Sequence, residues 1–256
     1  MQTHATFHDL RDASVFITGG GSGIGAALTE GFLAQGARVA FVQRSDAGDF
    51  CARMAQTQVR APLFIPCDIT DIAALQQAMT TAARAHGPIT VLVNNAADDT
   101  RHSLAALTVE SWDRGMAVNL RPHVFSAQAA ADGMRRAGGG SIINFSSIAY
   151  LMGQAGYPGY IAAKAAIVGL TRGLARELGP DNIRVNALLP GWVLTQRQLD
   201  LWATPEDLAA HLDRQCLKRH LVPRDIVDGV LFLASGASAM MTSQALVIDG
   251  GVGMTG

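Results

Sequence analysis

Ser14-Val-Phe-Ile-Thr18, followed at once by Gly19-Gly-Gly-Ser-Gly-Ile-Gly25, decides how the rest of the chain is read. The first five residues carry no charge and three are β-branched, which suits a strand covered on both faces. The glycines end that strand, and apolar residues resume at helical spacing over Ala26–Gln35. A loop between strand and helix needs glycine when an anion must approach, because any Cβ would hold the backbone off a pyrophosphate. The free N–H groups and positive end of the helix attract that charge. A glycine cluster alone could be only a tight turn; the flanking strand and helix favour a dinucleotide loop, with Gly19, Gly21, Ser22, Gly23, Ile24 and Gly25 as its contacts.

Outward from this loop, short aliphatic runs alternate with Ala-rich stretches of helical period. The strands expected are Ser14–Thr18, Arg38–Val42, Leu63–Pro66, Thr90–Asn94, Ser141–Phe145, Ile183–Leu189 and Ala245–Ile248. Helices are expected over Asp71–His86, over one long span Thr108–Arg136, and over Tyr157–Gly179. This is the βαβ pattern of a parallel sheet, so the fold class is α/β: a doubly wound, seven-stranded Rossmann-type sheet with helices on both faces, forming one domain over residues 1–256. Residues 192–223 hold two tryptophans and a helix start at Thr204-Pro205 directly after the sixth strand. They read as a substrate lid or as a helical pair that only packs against a neighbour.

Composition narrows the function. With 49% hydrophobic and 16% charged residues, the 256-residue chain is not disordered. A net charge of −1 lacks the cationic excess that a nucleic-acid binder needs. No apolar run reaches the roughly 18 residues of a membrane span, and residues 1–15 have no apolar signal core, so a cytoplasmic protein is expected. Cys51, Cys67 and Cys216 are odd in number and far apart, as reduced thiols are, and no metal site is expected.

The cofactor side can be read further. Dinucleotide sites usually place an acid about 20 residues past the glycines for the ribose 2′-hydroxyl, or an Arg for a 2′-phosphate. Here Gln43 lies 18 residues past Gly25 and Arg44 lies 19 past it. With no carboxylate to repel a phosphate, NADP is expected to be accepted; Gln43 leaves NAD open as well.

The chain has two lysines and three tyrosines, yet Lys164 stands four residues after Tyr160. On a helix that offset puts ammonium and phenol on one face. A nearby cation favours phenolate, and so is expected to lower a group that ordinarily titrates near pH ~10 toward a usable base.

These residues, in this order, resemble the short-chain dehydrogenase/reductase family. Thr18-Gly19-x-x-x-Gly23-x-Gly25 resembles its cofactor loop, and Asn94-Asn95-Ala96-Ala97 its segment after the fourth strand. Ser147, 13 residues before Tyr160, matches the family's serine, and Asn119 its helix asparagine. Asp68 and Ile69 fall at its adenine-contacting position, and Pro190, Gly191, Val193 and Thr195 in its nicotinamide segment. Ala97 and Ala163 depart from the usual glycine and serine, and neither is a reacting group. The resemblance implies that Tyr160 is the base, that Ser147 holds the substrate oxygen, that Lys164 binds the nicotinamide ribose and that Asn119 supports a water-linked proton path. It also implies contacts from Asn95 and Ala96 to the cofactor, and a homotetramer through the small-residue faces of the two long helices.

Residues 94–103, 189–198 and 215–218 resemble the family's aldose 1-dehydrogenase branch, which implies oxidation of a pentose or hexose such as arabinose, xylose, galactose or fucose to its lactone. Sugars need aimed hydrogen-bond partners and an apolar face. Asp98, Gln154, Trp192, Gln196 and Trp202 are the candidates, beside Ser147 and Tyr160. Asp98 and Asp99 read equally as a solvated turn, Trp202 as lid core, and His102 as a turn residue. Reduction of a 3-oxoacyl thioester would use the same residues, with Arg121, Arg135 and Arg136 as candidates for an acidic carrier protein. A cofactor-sensing binding protein is the reading from another class, and the complete Ser147, Tyr160 and Lys164 set argues against it.

Overall fold

Every residue of Ser14–Thr18 is buried, and the strand it forms, β1, lies inside a seven-stranded parallel sheet. The structure is a computed structural model that describes residues 5–253. The other strands are β2 (Arg38–Gln43), β3 (Leu63–Pro66), β4 (Val91–Asn94), β5 (Gly140–Phe145), β6 (Ile183–Pro190) and β7 (Ala245–Ile248), in the order β3-β2-β1-β4-β5-β6-β7. All seven expected strands are present. Alternation along each sends side chains to opposite faces. Val15, Ile17, Val39 and Phe41 join one core with Leu28, Phe32 and Val230, while Phe16, Ala40 and Val42 join another with Leu75, Met79 and Met134.

The helices are α1 (Gly23–Ala34), α2 (Gly48–Thr57), α3 (Ile72–His86), α4 (Val109–Asn119), α5 (Arg121–Arg136), α6 (Pro158–Leu178), α7 (Gln196–Leu201), α8 (Pro205–Arg214) and α9 (Arg224–Ala234). Sequence reading does not isolate α2 and α9. Chain order reverses between β1 and β4, and the loops after these strands part there to leave the crevice where α/β folds bind ligands.

One expected helix is corrected. Thr108–Arg136 is two helices, broken at Leu120, whose φ of −129° and ψ of −52° are not helical. Pro122 is the reason, since it has no N–H for the carbonyl four residues back and its ring crowds that turn. The break makes Asn119 the last residue of α4, with its side chain free to serve a neighbouring loop. The stretch after β6 folds into α7 and α8, the second starting at the expected Thr204-Pro205, and each is begun by a threonine: Thr195 Oγ1 accepts from the Gln198 N–H and Thr204 Oγ1 from the Asp207 N–H. A bridge between Val193 and Leu221 closes its base.

His123, in the first turn of α5, is 2% exposed. Burial foremost, and the charge of Lys164 next, bring its imidazole down to about 3 from an ordinary 6.5. Between those values the unfolded chain binds a proton that the folded chain refuses, so stability falls as pH drops through that window. In urea unfolding, the parent should lose roughly 2–3 kcal/mol more than His123→Gln does between pH 6.5 and 4.5.

Candidate active site

The loop after β1 is packed too tightly for side chains. A Cβ at Gly25 would lie 1.8 Å from the Gly19 carbonyl oxygen, and Gly19 itself has a φ of +71°. Thr18 fastens the loop to its neighbour, its Oγ1 accepting from the N–H groups of Asn95 and Ala96 at 3.0 and 3.1 Å. Asn95 returns the contact, donating from Nδ2 to the carbonyls of Thr18 and Gly19. Unlike α3, α4, α7 and α8, helix α1 has no side-chain cap at its N-cap, Ser22, and its first turn carries no acid. Its first N–H groups therefore point out of a side-chain-free cradle, which fits a dinucleotide pyrophosphate.

Of the other cofactor candidates, Thr195 and Gln43 reach this loop. Thr195 Cγ2 lies within 3.2 Å of where a Gly23 Cβ would stand, so the segment after β6 crosses the glycine loop. Pro190 ends β6, the Gly191 N–H donates to the Ile248 carbonyl, and Val193 and Ile69 are buried. Gln43 turns back, accepting from the Gly21 N–H at 3.0 Å and donating to Ser45. Its amide thus shapes the loop instead of standing free for a ribose. Arg44 is 77% exposed and 3.9 Å from Asp68, whose other oxygen accepts from the N–H and hydroxyl of Thr70.

Three of the four catalytic candidates, Ser147, Tyr160 and Lys164, meet beyond the carboxyl end of β5. Tyr160 and Lys164 lie one turn apart on α6, with Lys164 Nζ 5.4 Å from the Tyr160 ring centre. Lys164 is buried and donates to the Phe145 carbonyl at 2.8 Å. Ser146 donates to the Lys164 carbonyl, so its role is to join β5 to α6; Ser147, one residue on, accepts from the Ala149 N–H and is the serine near enough to Tyr160 to favour its ionised form. Asn119 makes a reciprocal pair with Asp98, accepting from its N–H at 2.9 Å and donating to its carbonyl at 3.0 Å.

The ionisation of this group corrects the expectation that the ammonium lowers the phenol. Burial pushes Tyr160 up, the charges of Asp99 and Tyr157 push the same way, and only the Ser147 hydrogen bond pulls it down. Lys164 is itself brought down to about 7 by burial, with Asp99 partly opposing. A lysine near that value carries only part of its charge at neutrality, which is why the i,i+4 spacing overstates its pull on the phenol.

The substrate candidates divide. Trp192 donates from Nε1 to Gln198 Oε1 at 2.9 Å and meets the His211 ring edge-on. Trp202 lies under the Arg101 guanidinium at 4.7 Å, which also reaches the Tyr157 ring at 5.8 Å. Gln154 accepts a hydrogen bond from Tyr157, whose ring is 5.2 Å from that of Tyr160. Gln196 instead donates to Asp200 on its own helix. Asp98 Oδ1 is occupied by the N–H and hydroxyl of Thr100 and by Arg197. Asp99 lies close enough to Tyr160 for its charge to act there, although its sequence context reads only as a turn; nothing local marks Arg101, Arg197 or Gln198 as binding residues. The Thr two residues after Asp98 is a turn signal that could have ranked the two acids.

Cys51, Cys67 and Cys216 are free thiols, and no group of three potential metal ligands occurs among the described residues. No helix among the described residues is long and apolar enough to cross a membrane.

The family model described as enoyl-(acyl carrier protein) reductase matches residues 19–253. A protein of Rhizobium meliloti named probable galactose dehydrogenase is 54% identical over 248 residues, spanning 96% of this chain and 97% of that one. The D-xylose 1-dehydrogenase of Caulobacter vibrioides is 43% identical over 96% of this chain and 98% of its own. A solved short-chain dehydrogenase/reductase from Serratia marcescens superposes with a TM-score of 0.89 at 35% identity, over 96% of this chain and all of that one. With the glycine cradle and the Ser147, Tyr160 and Lys164 cluster, these matches make the chain a member of the short-chain dehydrogenase/reductase family, an oxidoreductase that uses a nicotinamide cofactor.

Proposed function

We propose that the protein oxidises a free aldose, a pentose or hexose, at its anomeric carbon to the lactone, with NADP or NAD as cofactor. The observation that carries the reading is Tyr160 with Lys164 Nζ 5.4 Å from its ring centre one helical turn on and Ser147 beside it, under a lid whose inner contacts are polar and aromatic. The galactose and xylose dehydrogenase names of the relatives support the sugar.

A bound nicotinamide supplies the acceptor for the hydride leaving the anomeric carbon. Ser147 holds the anomeric oxygen and Tyr160 takes its proton as the carbonyl forms, so that hydride and proton leave the substrate by different routes. Lys164 would hold the ribose of a bound nicotinamide nucleotide and, poised near neutrality, takes part in passing the proton on. Asn119, fixed by the Asp98 backbone, supports the exit path through water. The phenol's upward shift in the protein alone means that proton removal depends on these partners being in place.

Of the three arginines of the acyl-carrier reading, Arg135 is paired with Asp132 and Asp181 at the end of α5 that leads into the start of β5, opposite the crevice, which weakens that reading. For the cofactor, exposed Arg44 is the group free to meet a 2′-phosphate, and Asp68 is too far from it for a tight pair. The tetramer is carried by the outer faces of α4 to α6. There Val109, Trp112 and Val124 are exposed, and a Cβ at Gly169 or Gly173 would touch nothing. The free thiols fit a cytoplasmic setting.

Tyr160→Phe should lower kcat by about a hundredfold or more; activity within tenfold of the parent removes Tyr160 from the role. A panel of pentoses and hexoses should reduce both cofactors, and Arg44→Ala should cost NADP about tenfold in kcat/KM while sparing NAD. A hundredfold preference of the parent for NAD would show that Arg44 points elsewhere, and thioester reduction without aldose oxidation would end the sugar reading. Light scattering at micromolar concentration should give a tetramer; a monomer contradicts it.

A further inference from the structure

The crevice is flanked by two adjacent carboxylates with different duties. Asp98 shapes its own turn, accepting from the Thr100 N–H and hydroxyl, while its backbone clamps Asn119. Asp99 makes neither contact. Its Oδ1 accepts from Arg197 Nε at 3.3 Å and its Oδ2 from Gln198 Nε2 at 2.6 Å, both on lid helix α7, and its side chain is 26% exposed. The Gln198 amide has its own orientation set, because Trp192 Nε1 donates to Gln198 Oε1 and so turns the amide nitrogen toward Asp99. A carboxylate offers about four lone-pair positions, and the lid fills only some of them. Asp99 is close enough to Tyr160, Lys164 and Tyr157 for its charge to act on all three.

An acceptor-only group held from one side, open on the other and beside the reacting phenol is matched by neighbouring hydroxyls, which present donors side by side. We propose that Asp99 is the specificity-determining residue of this site: aimed by Arg197 and Gln198, its carboxylate accepts hydrogen bonds from the ring hydroxyls of the aldose and so selects a polyhydroxylated substrate. The proposal rests on the aldose reading. It assigns the selecting role to Asp99 in place of Asp98, and makes Gln198 and Trp192 positioning residues for it. A substrate without the hydroxyl leaves the remaining lone-pair positions of the carboxylate without a donor, and a site built to hydrogen-bond a hydroxyl discriminates against the analogue that lacks it.

Two properties separate this role from a merely structural one. The first is dependence on particular hydroxyls. The second is electrostatic. Tyr160 is faced by Asp99 from the loop after β4, by Ser147 from the loop after β5, and by Tyr157 and Lys164 from its own helix. Asp99 is faced by Arg197 and Gln198 from α7, with Asp98 and Arg101 on its own loop. Asp99→Asn removes a negative charge that opposes phenolate, so the limb of the rate profile that follows Tyr160 deprotonation should move to lower pH.

The experiment measures kcat and KM of the holoenzyme with the preferred aldose and each of its single-deoxy analogues, for the parent, Asp99→Asn and Arg197→Met. In the parent, at least one deoxy analogue should lose about tenfold or more in kcat/KM, the size of one charge-assisted hydrogen bond. Asp99→Asn should raise KM for the full aldose by a similar factor and treat that analogue and the aldose alike, with the acid-ward shift. Arg197→Met, which keeps the carboxylate and its Gln198 contact but removes one of the two groups that aim it, should weaken the deoxy penalty without abolishing it. A parent indifferent to every deoxy position overturns the proposal, without needing any variant to fold. So does Asp99→Asn with a KM within twofold of the parent, or with the deoxy penalty intact. If the parent oxidises no aldose at all, the sugar reading fails and the proposal falls with it; aldose oxidation with no hydroxyl dependence sinks the proposal alone.

Discussion

A buried amine on a strand-end carbonyl sets the geometry of this protein. Lys164 Nζ donates to the Phe145 carbonyl at the end of β5, and Ser146 donates back to the Lys164 carbonyl on α6. Taking a lysine out of water costs several kcal/mol unless it finds partners, and the cost is visible in the descent of its pKa to about 7. The crossed bonds hold the last residue of the strand against the second turn of the helix. Ser147 is the next residue along, so the same contact that satisfies the lysine brings the serine to Tyr160. The glycine loop is tied to the sheet independently, through Thr18 and Asn95, at the neighbouring β1–β4 crevice. Two local locks therefore define two halves of one site, and the sheet between them fixes their separation.

Much of this was legible because it is local. Burial on both faces forces continuous apolar strands, and their starts and ends fall within a residue of the apolar runs in the sequence. The glycine loop and the Tyr160 to Lys164 spacing are likewise contained in a dozen residues. Even the corrected helix carried its signal, since Pro122 stands at the break. What sequence did not reveal depends on contacts between distant segments. Asp99 and Arg197 are 98 positions apart, and nothing in either neighbourhood says that they meet. The direction of the Tyr160 shift depends on how deeply the phenol lies and on which charges surround it, neither of which helical spacing conveys. Gln43 shows the same limit: its position suited a ribose, but its amide is committed to the Gly21 N–H.

The lid contacts differ in kind from those of the floor. Arg197 is 51% exposed and its partners Asp98 and Asp99 are 50% and 26% exposed. Ion pairs of that exposure contribute about 0–1 kcal/mol each, so water can exchange with them at little cost. Below them, Asn119 is 2% exposed and holds both polar groups of the Asp98 backbone, where losing a partner costs about 1–3 kcal/mol per unpaired group. The network running from Trp192 through Gln198, Asp99, Arg197 and Asp98 to Asn119 thus grades from exchangeable to fixed. Helix α7 is joined to the site by the weakest members of this network, while the asparagine beside the Pro122 break is held by the stronger ones.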